Sequence, residues 1–112
     1  MADATIWRRA FELSQVAEER FGLRVKEIIP MMAQKSRELA YCHFPENVIE
    51  LRVHVNNRPR EPLRTSTIEQ SLAHELTHIW MVKDGLSRHH HSRAFYRRYR
   101  AIRKLWKEEG WL

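Results

Sequence analysis

Thr67-Ile68-Glu69-Gln70-Ser71-Leu72-Ala73-His74-Glu75-Leu76-Thr77-His78-Ile79-Trp80-Met81-Val82-Lys83-Asp84 is a run with helical apolar periodicity. At about 100° per residue, Ile68, Leu72, Leu76, Ile79 and Trp80 share one broad stripe, and His74 and His78 lie on the other side. Within the run, residues 74–78 read H-E-x-x-H. Positions i and i+4 stand one turn apart on one face, so the two imidazoles can meet one metal ion. Glu75 is rotated by about 100° from His74, near enough to reach a water on that ion. Two nitrogen ligands and a carboxylate that takes a proton from an activated water are what a zinc hydrolase needs. The plainer alternative is a helix that shows two histidines to solvent, and the stripe alone fits both.

Working outward, Thr65 or Ser66 is expected to cap this helix, with Glu69 placed for a capping box with Ser66. Asp84-Gly85 is its stop, since glycine takes the left-handed conformation a helix C-terminus favours. Gly85 to His91 is a histidine-rich connection, and Ser92 caps a last helix running to about Glu109. Upstream, Thr5–Phe21 reads as a helix stopped by Gly22 and expected to cover a sheet. Leu23–Ile29, Glu38–Phe44 and Val48–Val55 read as strands. Met31–Arg37 is expected as a loop, Pro45-Glu46-Asn47 as a turn, and Asn56–Pro62 as a loop closed by two prolines. The order is helix, three strands, helix, helix. It implies an α+β fold with a small, mainly antiparallel three-stranded sheet, packed with an N-terminal helix, the H-E-x-x-H helix and a C-terminal helix.

At 112 residues, 43% of them hydrophobic, residues 1–112 are expected to form one domain with one core. No apolar run is long enough to span a bilayer and the N-terminus does not suit a signal peptide, so no membrane partner is expected. The single cysteine, Cys42, excludes an internal disulfide framework and a cysteine-only zinc site. A cytoplasmic setting is the expectation. The net charge of +6 favours polyanions such as nucleic acid.

Catalytic zinc usually takes three protein ligands and leaves a position for water. Of His89, His90 and His91, the last is preferred as third ligand. It directly precedes the Ser92 cap and projects on the side of Phe95, Ile102 and Leu105; His89 and His90 remain alternatives. A thermolysin-like arrangement with Glu108 or Glu109 as third ligand is a further one.

Taken together, the strand Val48-Ile49-Glu50-Leu51, the motif His74-Glu75-Leu76-Thr77-His78 and the segment His91-Ser92-Arg93-Ala94-Phe95 resemble the SprT-like zinc metallopeptidases. In that family a strand, H-E-x-x-H and a third histidine in an H-G-x-x-F/W segment follow one another. The resemblance spans about residues 38 to 100. It implies one zinc ion per chain on His74, His78 and His91, with Glu75 as general base and acid. It also implies peptide-bond hydrolysis, in some members on proteins trapped on DNA. Ser92 departs from the family's usual glycine, and no cysteine-based zinc ribbon follows.

The expected reaction is attack of metal-activated water on a carbonyl, with Glu75 carrying the proton to the leaving amine. Val48–Val55 is expected as the strand edge that pairs with an extended protein or peptide substrate. Tyr96, Tyr99 and the spare histidines are candidates for stabilising the oxyanion. On the last helix Arg93, Arg97, Arg100, Lys104 and Lys107 project within a stripe about 80° wide, opposite the apolar half. Such a row suits non-specific, salt-sensitive nucleic-acid contact, and a solvated face is the alternative. The competing function is a metal-containing binding module that cleaves little and contacts nucleic acid through this helix.

Overall fold

The computed structural model describes residues 2–31, 38–55, 58–87 and 91–111. In chain order the elements are α1 (Ala2–Phe21), β1 (Glu27–Pro30), β2 (Ala40–His43), β3 (Val48–Leu51), β4 (His54–Val55), β5 (Arg58–Pro62), α2 (Thr65–Lys83) and α3 (Arg93–Glu108). The α+β class and the three helices match the sequence reading. The expected loop at 31–37 lies outside the described residues save for Met31.

The three-stranded sheet is mixed. Its order is β1-β3-β2, with β1 parallel and β2 antiparallel to β3. The most apolar strand takes the centre, where both its edges are paired. Ile28, Ile49 and Cys42 are in register across the three strands, and all three are buried. The neighbouring row, Ile29–Glu50–Tyr41, lies on the more exposed face. Side chains alternate across a strand, so one face supplies the core and the other meets solvent.

The expected strand Val48–Val55 breaks after Leu51, because both of its partners end there. Met31 N–H donates to Leu51 O (3.1 Å) and Arg52 N–H to Leu39 O (2.9 Å). His54 and Val55 turn instead to β5, which occupies part of the expected 56–62 loop; Asn56 and Asn57 lie outside the described residues. The predicted turn before β3 is present: Asn47, at φ +61°, donates its N–H to His43 O (2.8 Å).

α2 is the central helix. It lies against β2 and β3, while α1 and α3 pack chiefly on α2 and on each other. Thus α2, rather than α1, covers the sheet. The reason is composition: Ile68, Leu72, Ala73, Leu76, Ile79 and Met81 are all buried, along with Glu69, Glu75 and Thr77. Each large aliphatic among them contributes about 1.5–3 kcal/mol by leaving water.

The capping box expected at Ser66 and Glu69 does not form. The N-cap is Arg64, without a side-chain capping bond. Glu69 is drawn instead to Arg9 of α1, whose Nε donates to Oε1 at 2.7 Å. At the other end the stop is as expected: Gly85 has φ +73°, Leu86 N–H donates to Met81 O and Gly85 N–H to Val82 O. Those two bonds close the last turn in a left-handed cap.

α3 is capped by Ser92, whose hydroxyl accepts from Phe95 N–H. Its buried residues are Phe95, Ile102, Leu105 and Trp106. Trp106 Nε1–H donates to Leu13 O of α1 at 2.9 Å, and Arg9 donates through its guanidinium to the Trp111 carbonyl. No helix among the described residues is long and apolar enough to cross a membrane.

Candidate metal centre

His74 and His78 sit one turn apart on the half-exposed face of α2, as the motif spacing requires. His91 enters from the segment just before α3. It is one residue ahead of the Ser92 cap, so the cap that starts the helix also fixes where this side chain begins. His74 Nε2 lies 3.1 Å from His91 Nε2, and His91 Nε2 lies 3.3 Å from His78 Nε2.

These spacings are a test of fit for a metal. Three nitrogens each about 2.0–2.1 Å from one tetrahedral ion stand roughly 3.3 Å apart. The two separations to His91 agree with this, and the ligand atoms of all three residues lie within 4.8 Å of one another. The three imidazoles can hold a metal ion. Of the three-histidine cluster in the connection, the structure brings His91 to the site; His89 and His90 lie outside the described residues. Glu108 and Glu109 belong to the far end of α3, and neither lines the cleft.

Glu75 is buried, and its Oε2 lies 2.8 Å from His74 Nδ1. A proton on Nδ1 donated to this carboxylate leaves the Nε2 lone pair of His74 facing the other two rings. Behind the rings lies Phe95, only 1% exposed, with its centroid 5.2, 4.9 and 4.7 Å from those of His74, His78 and His91. Phe95 is therefore a common floor for all three imidazoles. The sequence marked it as core and as the aromatic of the third-histidine segment. Its shared contact came only with the fold.

The rings open on a cleft of about 910 Å³. One wall is α2, through Thr67, Gln70, Ser71, His74, Glu75 and His78. The facing wall is the segment from Glu38 to Phe44, which contains β2. Thr67, Ser71, His74 and His78 follow at i, i+4, i+7 and i+11, a polar stripe that helical spacing makes readable. Tyr96 and Tyr99 also line the cleft, and Tyr96 stands 6.4 Å, centroid to centroid, from His91.

The edge beside the histidines is thus β2. β3, expected in that role, has β1 on one side and β2 on the other.

The angle between α2 and α3 is held away from the cleft by Arg98. Its Nη2 and Nε donate to Asp84 Oδ2 at 2.8 and 3.2 Å, and its guanidinium lies over Trp80. The Arg98 hydrogen bond, aided by the charges of Arg98 and Lys83, holds the Asp84 carboxyl below its ordinary value of 3.8. Arg93, Arg97, Arg100, Lys104 and Lys107 are all exposed, and none lines the cleft. Lys104 has Glu108 at 3.9 Å, a pair open to solvent on both sides.

The chain matches no protein-family model and no curated protein. Among solved structures it is similar to a Wss1 mutant from Saccharomyces cerevisiae, with a TM-score of 0.78 at 16% identity. That match covers 96% of this chain and 81% of the other. It is also similar to Wss1 from the same organism, with a TM-score of 0.68 at 19% identity over 88% of this chain and 74% of that one. At these identities the likeness is one of fold.

Proposed function

We propose that the chain is a zinc-dependent peptidase that hydrolyses protein or peptide substrates in the cleft between α2 and β2. The observation that carries this reading is the gathering of three imidazoles beside Glu75, with His91 Nε2 at 3.1 and 3.3 Å from the Nε2 atoms of His74 and His78. The resemblance of residues 38–100 to SprT-like peptidases supports it, and the fold shared with Wss1 is compatible with it. His74, His78 and His91 are the ligands. Zinc, when bound, supplies Lewis acidity that polarises a carbonyl and acidifies water.

The remaining work falls to the chain. Glu75 is the proton carrier: its carboxylate accepts a proton from the attacking water and returns it to the departing amine nitrogen. A turn about its side-chain torsions moves the carboxylate from His74 Nδ1 to the cleft. The resting contact holds His74 in the tautomer that offers Nε2. The outer edge of β2 pairs with an extended substrate through backbone hydrogen bonds, which orients the scissile bond without demanding particular side chains. The Tyr96 hydroxyl, on the cleft wall beside His91, is the donor for the developing oxyanion.

Glu75→Gln tests the assignment. It keeps the shape of the side chain and should keep the metal, while cleavage of a protein substrate falls by about 10²–10⁴-fold. Unchanged cleavage in this variant removes Glu75 as the base and, with it, the peptidase reading.

A second reading rests on the exposed basic row of α3: a module that holds metal, cleaves little and contacts nucleic acid. The row is continuous and lies outside the cleft, so nucleic-acid contact is equally compatible with a peptidase acting on nucleic-acid-associated proteins. Non-specific contact with a phosphate backbone is the form such binding takes. A single, buried cysteine, Cys42, suits the reducing conditions of a cytoplasmic setting.

A further inference from the structure

The groove between α2 and β2 does not stop at the histidines. Following α2 towards its C-terminus, the cleft residues Thr67, Ser71, His74 and His78 give way to Ile79, Val82 and Lys83. Following β2 in the same sense, Glu38–His43 give way to Phe44 and Pro45. Beyond Phe44 lies a second hollow of about 750 Å³, closed by Gly22, Leu23, Arg24 and Asn47. Phe44 lines both hollows and so forms the sill between them.

The second hollow has a definite chemistry. Leu23 is buried and Ile79, Val82, Phe44 and Pro45 give it an apolar lining, while Arg24 and Lys83 carry its charge. No carboxylate is among its lining residues. Two acids adjoin lining residues along the chain: Asp84, which is engaged by Arg98, and Glu46, which is exposed between Pro45 and Asn47 and does not line the hollow. Lys83 Nζ donates one of its three hydrogens to Phe21 O at 2.9 Å, which places the ammonium beside Gly22.

We infer that this hollow is a substrate subsite that takes an acidic side chain of the extended chain being cleaved, on the N-terminal side of the scissile bond. The inference rests on the peptidase reading above. Its direction follows from strand pairing: a partner running antiparallel to β2 has its N-terminal residues at the C-terminal end of β2, where Phe44 leads into the hollow. The distance follows from α2. Six or seven residues separate the middle of the histidine pair from Val82–Lys83, about 10 Å along a helix. An extended substrate covers this in about three residues. The side chain so placed meets Arg24 and Lys83 over an apolar floor, which favours Asp or Glu and disfavours Lys or Arg.

Two measurements test this. In the first, a mixture of synthetic peptides is cleaved by the zinc-loaded protein and the cut sites are read by mass spectrometry. Acidic residues should be enriched over basic ones by about fivefold or more, three to four residues before the cut, as two solvent-exposed ion pairs permit. Arg24→Glu, at an exposed position, should bring the ratio to about one, and Lys83→Met should lower it. In the second, a peptide carrying Asp and Glu between apolar residues is titrated into metal-free protein. The amides of Leu23, Asn47 and Val82 should shift, and Arg24→Glu should abolish those shifts. Shifts without any cleavage retain the binding hollow and overturn the peptidase reading. Cleavage without the acidic preference, or with a preference that Arg24→Glu leaves intact, overturns the subsite alone. Absence of the shifts overturns it as well.

Discussion

Replacing Phe95 with leucine separates what this ring does for the core from what it does for the histidines. Phe95 is 1% exposed, so the smaller side chain leaves an incompletely filled space. For a substitution that keeps most of the apolar volume, the cost to the metal-free protein is about 1–2 kcal/mol. In a domain of this length that lowers Tm by about 4–8 °C. The second effect is on the metal. Phe95 touches all three imidazoles, and groups that orient metal ligands are commonly worth about 10–100-fold in affinity. With zinc at about one hundred times the wild-type Kd, binding adds roughly 2.7 kcal/mol to the wild type. The variant, binding about 10–100-fold less tightly, keeps only about 0.4–1.4 kcal/mol of it. The Tm gap between the two proteins should therefore widen by about 5–9 °C when zinc is added. Thermal melts with and without zinc, paired with a chelator competition for Kd, give both quantities. An equal gap in the two melts, with unchanged affinity, would show that Phe95 is core alone and that the rings need no floor.

Other substitutions address the remaining claims. Purified protein should carry about one zinc per chain; elemental analysis should find it lost in His74→Ala and His78→Ala, and weakened far more in His91→Ala than in His89→Ala. Arg100→Glu with Lys104→Glu should weaken DNA or RNA binding irrespective of sequence and leave zinc in place. Each lost phosphate contact should reduce the slope of log K against log[salt] by roughly 0.7–0.9, and unchanged binding at low salt would make the row a solvated face. The Asp84–Arg98 pair should show in acid. Because the folded-state pKa of Asp84 is depressed, its contribution is present above the ordinary carboxylate value and is lost as pH falls through the folded one. The Tm difference between wild type and Asp84→Asn should accordingly be full near neutral pH and shrink below about pH 4; a difference independent of pH refutes the assignment.

The helices and the heart of the site were legible because their signals are local. A 3.6-residue apolar period, a serine cap and a glycine stop act within one or two turns, and α2 and α3 ended close to where those signals lay. His74 and His78 followed from spacing alone, and His91 from its position ahead of Ser92. What escaped the sequence was decided between distant segments. β1 pairs in parallel with β3 across an intervening strand, which no short-range pattern encodes. Glu69 had the right spacing for Ser66, yet the competing partner, Arg9, lies 60 positions away. The edge beside the histidines is β2 instead of β3 for the same reason. β3 reads as the best strand, and for that reason it is enclosed on both sides.

α3 can also be viewed as a lever arm. Its sixteen residues span about 24 Å. One end is clamped by Trp106 to the Leu13 carbonyl and by Arg9 to the Trp111 carbonyl, and the other end delivers His91. Over that length, a tilt of about 5° carries the near end some 2 Å, comparable with a nitrogen–metal bond. The position of His91 therefore depends also on the opposite end of the helix, through residues of α1 that line no part of the cleft. Loosening Arg9 or Leu13 would act on the metal from a distance, and Asp84 with Arg98 is the brace that limits the swing.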